Sequence, residues 1–232
     1  DGWHLVLGPA DGFADATFGH DRRQLEQIRR ELERRGLERA IPWTCSTHPR
    51  GVDASWARTA RRAGCLQVFL GIESADARIR QQVLGKRVSD ARLEQAVACL
   101  RREGILVAAN VMVCPPTETV GTLLSTLRLV RRLDPARTLF SYYFPLPHSA
   151  LARGAGVAYP WPANAFPADV FSAPHRRLNG SGPALRRVAR ALVGLHKATT
   201  LARKGLTLRG PAVVLDLARH LLTELRQGRA RT

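Results

Sequence analysis

Apolar residues recur along this chain in two alternating textures, one helical and one strand-like. Between 21 and 35, Leu25, Ile28 and Leu32 share one face of a helical repeat, and Gly36 supplies the left-handed residue that often follows a helix. The apolar run AIPWTC (40–45) comes next. The same order then repeats. A helix predicted over 53–63 stops at Gly64 before CLQVFLG. Another over 90–103, with Leu93, Ala96, Val97 and Leu100 on one face, stops at Gly104 before ILVAANVMV. A third over 118–133 carries Val120, Leu123, Leu124, Leu127 and Val130 and leads through Asp134 and Pro135 into TLFSYYF. Near the start, WHLVLG adds one more strand.

Strands alternating with helices of this length predict right-handed βαβ units and a parallel sheet. Such strands are covered on both faces, which is why they read as continuous apolar runs. The five strands expected before residue 150 fit an open doubly wound sheet or most of a (β/α) barrel. In both, ligands gather at the C-terminal ends of the strands. The expected organisation is an α/β partial barrel over 1–150, an irregular connection rich in Pro, Gly and aromatic residues over 151–183, and a helical region over 184–232. Two helices are predicted there, near 184–203 and 211–227. NGSGPALRR (179–187) could cradle a phosphate at a helix start, but it lacks a preceding strand and reads better as a plain turn.

Composition narrows this picture. An apolar share of 45% is enough for a substantial core, and no run of eighteen apolar residues predicts a membrane-spanning helix. The net charge is +17, yet lysine stands only at 86, 197 and 204. The arginines are spread through every helical segment, so the charge reads as a solvated, compositionally biased surface rather than a nucleic-acid stripe. Cys45, Cys65, Cys99 and Cys114 form no C-x-x-C pair, which argues against a zinc ribbon or a redox dithiol. Each lies among apolar residues and is expected as a buried free thiol in a reducing, cytoplasmic setting. Asn179-Gly180-Ser181 matches a glycosylation acceptor, but no signal-peptide pattern accompanies it.

Candidate chemistry begins in VFLGIESADARIRQQVLGK (68–86). An apolar strand ends on a carboxylate, Glu73, whose desolvation costs several kcal/mol unless something meets it. At a strand's C-terminal end it faces the ligand side of the fold rather than the core. Two more strand ends follow, VMVCPPTET (111–119) and FPLPHSAL (144–151), and FADATFGHDRR (13–23) precedes them all.

Taken in order, GIES with Lys86, VMVCPPTET, FPLPHSAL and FADATFGHDRR resemble motifs of the radical S-adenosylmethionine superfamily, over roughly residues 10–151. The likeness is greatest to the group in which many members carry an upstream cobalamin-binding domain. It implies a TIM-like partial barrel of about six strands, with S-adenosylmethionine across their C-terminal ends. A [4Fe–4S] cluster, held by C-x-x-x-C-x-x-C after the first strand, cleaves that cofactor to a 5′-deoxyadenosyl radical. This chain has no such motif and starts at Asp1, so the resemblance implies a start downstream of the cluster loop in a longer protein. Loss of the cluster in a degenerate paralogue is the other account.

The resemblance also assigns cofactor-binding roles. Glu73 accepts from the methionyl ammonium or a ribose hydroxyl, and Lys86 donates to the methionyl carboxylate or the ribose. Gly71 admits a close approach, Ser74 adds a small polar group, and Val111 and Val113 pack on the adenine. Glu73 and Lys86 could instead be a plain ion pair between a strand end and the next helix. Cys114 and Thr117 stand where relatives carry glycine, and His148 and Ser149 replace a Gly-Thr pair, so altered turns are expected. His148 could donate a proton near substrate or be an ordinary loop residue, and Asp15 and His20 lie toward the substrate mouth without an assigned role. No catalytic residue or metal ligand emerges. The implied partners are an unidentified small substrate, an electron donor such as flavodoxin or ferredoxin, and cobalamin through an upstream domain. A non-catalytic binding scaffold and, more weakly, a basic RNA-contacting module are the competing functions.

Overall fold

The computed structural model describes residues 5–6, 11–13, 17–144 and 182–203. Its sheet runs in the order β1 (Leu5–Val6), β2 (Asp11–Phe13), β3 (Trp43–Thr47), β4 (Cys65–Glu73), β5 (Leu106–Val113) and β6 (Arg137–Tyr142). β2 through β5 are parallel neighbours. Helices α1 (Arg22–Arg34), α2 (Ala54–Arg62) and α3 (Asp90–Arg102) connect them, as the periodicity predicts. α4 (Val120–Leu133) joins β5 to β6, and α5 (Pro183–Arg203) forms the first helix of the C-terminal region. The helix expected over 211–227 and the connection over 151–181 lie outside the described residues.

The start of the sheet departs from the expected repeat. WHLVLG contributes only Leu5–Val6, and it runs antiparallel to β2, a strand that the apolar pattern did not reveal. The reason is length. The link from Val6 to Asp11 is too short for the dozen or more residues that a parallel crossover needs.

By contact the chain forms two compact units, 1–112 with 128–141 and 113–127 with 142–232. The first holds the main core. Phe13 stacks on Phe18 at 4.3 Å between centroids, and both meet Trp43 edge-on at 5.0 and 5.2 Å. Two indoles are buried there, each with its N–H satisfied: Trp43 donates to the Ala63 carbonyl at 2.5 Å, and Trp56 to the Gly19 carbonyl at 3.1 Å. Leu25 of α1, Ala57 and Ala60 of α2, and Leu93, Ala96 and Leu100 of α3 close on Val68, Leu70 and Val107 of the sheet.

Side-chain caps start these helices where the chain leaves a strand. Asp21 accepts from the Arg23 amide, Asp53 from Trp56 at 2.8 Å and Ser89 from Arg92 at 3.2 Å. At the other end of α2, Gly64 adopts φ +92, and a Cβ there would strike the Glu38 carbonyl. No described helix is long and apolar enough to cross a membrane.

Candidate functional site

The C-terminal end of β4 is irregular in a way that aims a carboxylate. Gly71 pairs with Asn110, and the next partner of β5 is Glu73 on Val111, so Ile72 is an extra residue in the ladder. Ile72 is fully buried, and Glu73 follows with φ +61. The Ser74 amide donates back to the Ile72 carbonyl at 2.9 Å, closing a three-residue turn centred on Glu73. A glutamate at positive φ costs about 1–3 kcal/mol and persists only where its surroundings enforce it.

Lys86 meets the carboxylate. Its Nζ donates to Glu73 Oε1 at 3.1 Å, with the two side chains 16% and 21% exposed. The pair lies over Gly71, where a Cβ would overlap both Lys86 Nζ and Glu73 Oε1. Gly71 therefore makes room for this pair first, and for a ligand only through it. The ion pair entertained from the sequence is present, and both of its side chains remain partly exposed.

The segment between the two charges is tightly tied. Asp76 caps it, accepting from the Ile79 amide on Oδ1 at 2.8 Å and from the Arg80 amide on its carbonyl at 2.9 Å. A π-helical turn, Ile79–Val83, follows and delivers the chain to Lys86. Ser74 is fully buried, and its hydroxyl accepts from the Asp76 amide at 3.2 Å. Arg80 is buried too, and it donates to the Ser74 carbonyl at 2.7 Å and to Asp90 Oδ1 at 2.8 Å. Spacing and motif did not single out Arg80, because one arginine in an arginine-rich chain carries no sign of burial.

His48 follows β3, the neighbour of β4, and was also missed. Its Nδ1 accepts from the Arg50 amide at 3.3 Å, which leaves the proton of the neutral ring on Nε2. Burial lowers its pKa below the usual 6.5, and the charges of Lys86, Arg50 and His20 push the same way. His48 is thus neutral at pH 7. His20 follows a segment held to β3 by bonds from the Phe18 amide to the Ser46 carbonyl and from the Thr47 hydroxyl to the Phe18 carbonyl, both 2.8 Å. Asp15 and His148 lie outside the described residues.

In the second unit, the turn after β5 keeps positive φ at both positions that carry Cys and Thr in place of glycine, +59 at Cys114 and +67 at Thr117. Both residues thus hold the left-handed backbone that glycine favours without being glycine. What holds it is Glu118, 7% exposed, whose Oε2 accepts from the Cys114 amide at 2.6 Å. Its Oε1 is buried without a partner, and desolvation pushes its pKa up to about 7 against the opposing pull of that amide. Val111 and Val113 are both buried, Val111 within the core of the first unit.

All four cysteines are free and buried, and no group of three His, Cys, Asp or Glu among the described residues could hold a metal. The residues present do not fit a [4Fe–4S] cluster. What they do place side by side at a strand end is an anion and a cation, paired over a glycine whose missing Cβ leaves room for them.

A parallel sheet with connecting helices and charged groups at its strand ends defines a partial (β/α) barrel. The same fold occurs in radical S-adenosylmethionine enzymes. Coproporphyrinogen III oxidase (HemN) from Escherichia coli superposes with a TM-score of 0.57 at 13% identity, covering 78% of this chain and 37% of that one. The radical S-adenosylmethionine methyltransferase TsrM from Kitasatospora setae, bound to cobalamin and a [4Fe–4S] cluster, gives 0.50 at 21% identity over 56% of this chain and 27% of that one. In sequence, the chain is 27% identical over 139 residues to an uncharacterised methyltransferase of Pyrococcus horikoshii. It is 29% identical over 140 residues to the anaerobic magnesium-protoporphyrin IX monomethyl ester cyclase of Cereibacter sphaeroides. Each match covers 60% of this chain but only 30% and 23% of the relative. No family model matches the sequence. The resemblance to radical S-adenosylmethionine enzymes therefore holds in fold.

Proposed function

We propose that this chain is the S-adenosylmethionine-binding part of a radical enzyme, with Glu73 and Lys86 holding the methionyl end of the cofactor. The observation that carries the proposal is the pair itself. Two opposite charges 3.1 Å apart, each partly exposed, stand over a glycine that clears the space. A methionyl group presents an ammonium and a carboxylate on one carbon, so it can lie along the pair with each charge met by its opposite. Charge-assisted hydrogen bonds of this kind contribute about 1.5–3 kcal/mol each. Neutral His48 adds a polar group near the same strand ends.

When bound beside a [4Fe–4S] cluster, S-adenosylmethionine supplies a 5′-deoxyadenosyl radical. The cluster would be held by cysteines that are not in this chain, and cobalamin by a companion domain. This chain's own part is to bind and orient the cofactor.

Titration calorimetry of S-adenosylmethionine into the chain tests the reading. Glu73→Gln and Lys86→Met should each weaken binding by about tenfold or more. Wild-type protein that takes up no S-adenosylmethionine at millimolar concentration would refute the proposal. Binding left unchanged in both variants, with lowered melting temperatures, would make the pair structural and favour the scaffold reading.

A further inference from the structure

Between the two charges of the site lies a buried cation that none of the expected roles uses. Arg80 is 2% exposed, and every group it touches belongs to the frame around Glu73 and Lys86. Its Nη1 donates to the Ser74 carbonyl at 2.7 Å, one residue past Glu73. Its Nη2 reaches Asp90 Oδ1, the first residue of α3, at 2.8 Å. Its own carbonyl accepts from the Lys86 amide at 2.8 Å. One residue thus ties down the turn that presents the carboxylate and, by its main chain, the residue that presents the ammonium.

We propose that Arg80 is a positioning residue that holds Glu73 and Lys86 in register with each other, and through them orients the bound ligand. The second half of this statement rests on the S-adenosylmethionine reading; the first does not. Ser74 shows how the hold works. Its amide closes the turn onto Ile72, its hydroxyl accepts from Asp76, and its carbonyl is taken by Arg80. Release of the carbonyl would free the Ser74 peptide plane to rotate, and Glu73, at φ +61, would relax toward an ordinary backbone conformation.

The burial itself argues for geometry over stability. Arg80 Nε is buried without a hydrogen-bond partner, an unmet donor that an apolar side chain of similar size would not have. Asp90 is 40% exposed and also lies 3.6 Å from Arg132, so loss of Arg80 would leave no buried, unpaired anion. The planar fork, which binds two acceptors at once, is what methionine cannot supply and lysine supplies only in part.

The test uses the 232-residue chain in six forms: wild type, Arg80→Met and Arg80→Lys, each with and without Lys86→Met. Carbon-detected NMR follows the Glu73 carboxyl resonance, and calorimetry follows S-adenosylmethionine. In the wild-type background, Lys86→Met should move the Glu73 carboxyl resonance; in Arg80→Met that coupling should vanish while the melting temperature stays close to wild type. S-adenosylmethionine affinity should fall about tenfold in Arg80→Met, with Arg80→Lys between the two. Retained coupling and affinity in Arg80→Met would overturn the proposal. If Arg80→Met does not fold, Arg80→Lys decides: wild-type coupling and affinity would mean the fork is not needed. If the coupling vanishes but wild-type protein never binds S-adenosylmethionine, the positioning role stands and the ligand assignment falls.

Discussion

At the scale of single residues, Gly71 decides whether the site exists. A Cβ there would come closest to the ends of two flexible side chains, Lys86 Nζ and the Glu73 carboxyl. Gly71→Ala should therefore leave the fold nearly intact, at a cost below about 1 kcal/mol and a melting shift of a few degrees. The pair itself must part, so S-adenosylmethionine affinity should drop about tenfold or more. Thermal melts and calorimetry on the same sample check both halves; a large loss of stability with unchanged affinity would place the role of Gly71 in packing instead. The strand end at Glu73 was legible in the sequence because a carboxylate ending an apolar strand is conspicuous in any context, and the resemblance added Gly71, Ser74 and Lys86 to it. Arg80 and His48 were not. Their significance lies in burial and in which carbonyl or charge stands opposite, and neither leaves a mark in spacing.

At the scale of elements, the turn from β5 into α4 depends on the buried carboxyl of Glu118. Two non-glycine residues at positive φ, Cys114 and Thr117, flank it, and Glu118 reaches back to the Cys114 amide at 2.6 Å. The folded state keeps the Glu118 proton until about pH 7, whereas the unfolded chain releases it near 4.5. Between those values the folded state binds more protons, so raising the pH favours unfolding. The contribution is complete below pH 4.5 and is lost as pH rises through 7, on the order of 3 kcal/mol in all. Glu26 and Glu31 of α1, held at about 2 by bonds from Arg29 and Arg34, act oppositely and only in acid. Denaturant titrations of wild type and Glu118→Gln from pH 4.5 to 8 isolate the effect: the difference between the two should change steadily up to pH 7 and then level. A constant difference would mean that the carboxyl ionises normally. The helices and their glycine stops were legible because each rests on local periodicity and φ preference. β2 was not, since three residues, Asp11–Phe13, carry no period and form a strand only through pairing with β1 and β3.

At the scale of the whole molecule, the net charge of +17 separates the cofactor reading from the nucleic-acid reading. Much of the arginine on α1 is already matched within the helix: Arg29 to Glu26 and Glu33, Arg30 to Glu26, Arg34 and Arg35 to Glu31. These pairs describe a solvated helix face, not a row of cations waiting for phosphates. The two ligands also differ in sign. S-adenosylmethionine carries a zwitterion plus a sulfonium, a net positive charge that the protein repels at long range. Screening acts over about 10 Å at 0.1 M salt, so added salt removes that repulsion, while the short contacts at Glu73 and Lys86, 21% and 16% exposed, are screened much less. Affinity for S-adenosylmethionine should therefore hold steady or rise between 50 and 200 mM salt. An RNA held by six or more phosphate contacts would lose about a thousandfold over the same range. Measured side by side by calorimetry and filter binding, a flat or rising cofactor affinity with RNA retention that collapses marks the charge as non-specific. Salt-resistant RNA binding together with cofactor affinity that falls would reverse the assignment, making the basic surface the functional one and the pair at β4 a structural bridge.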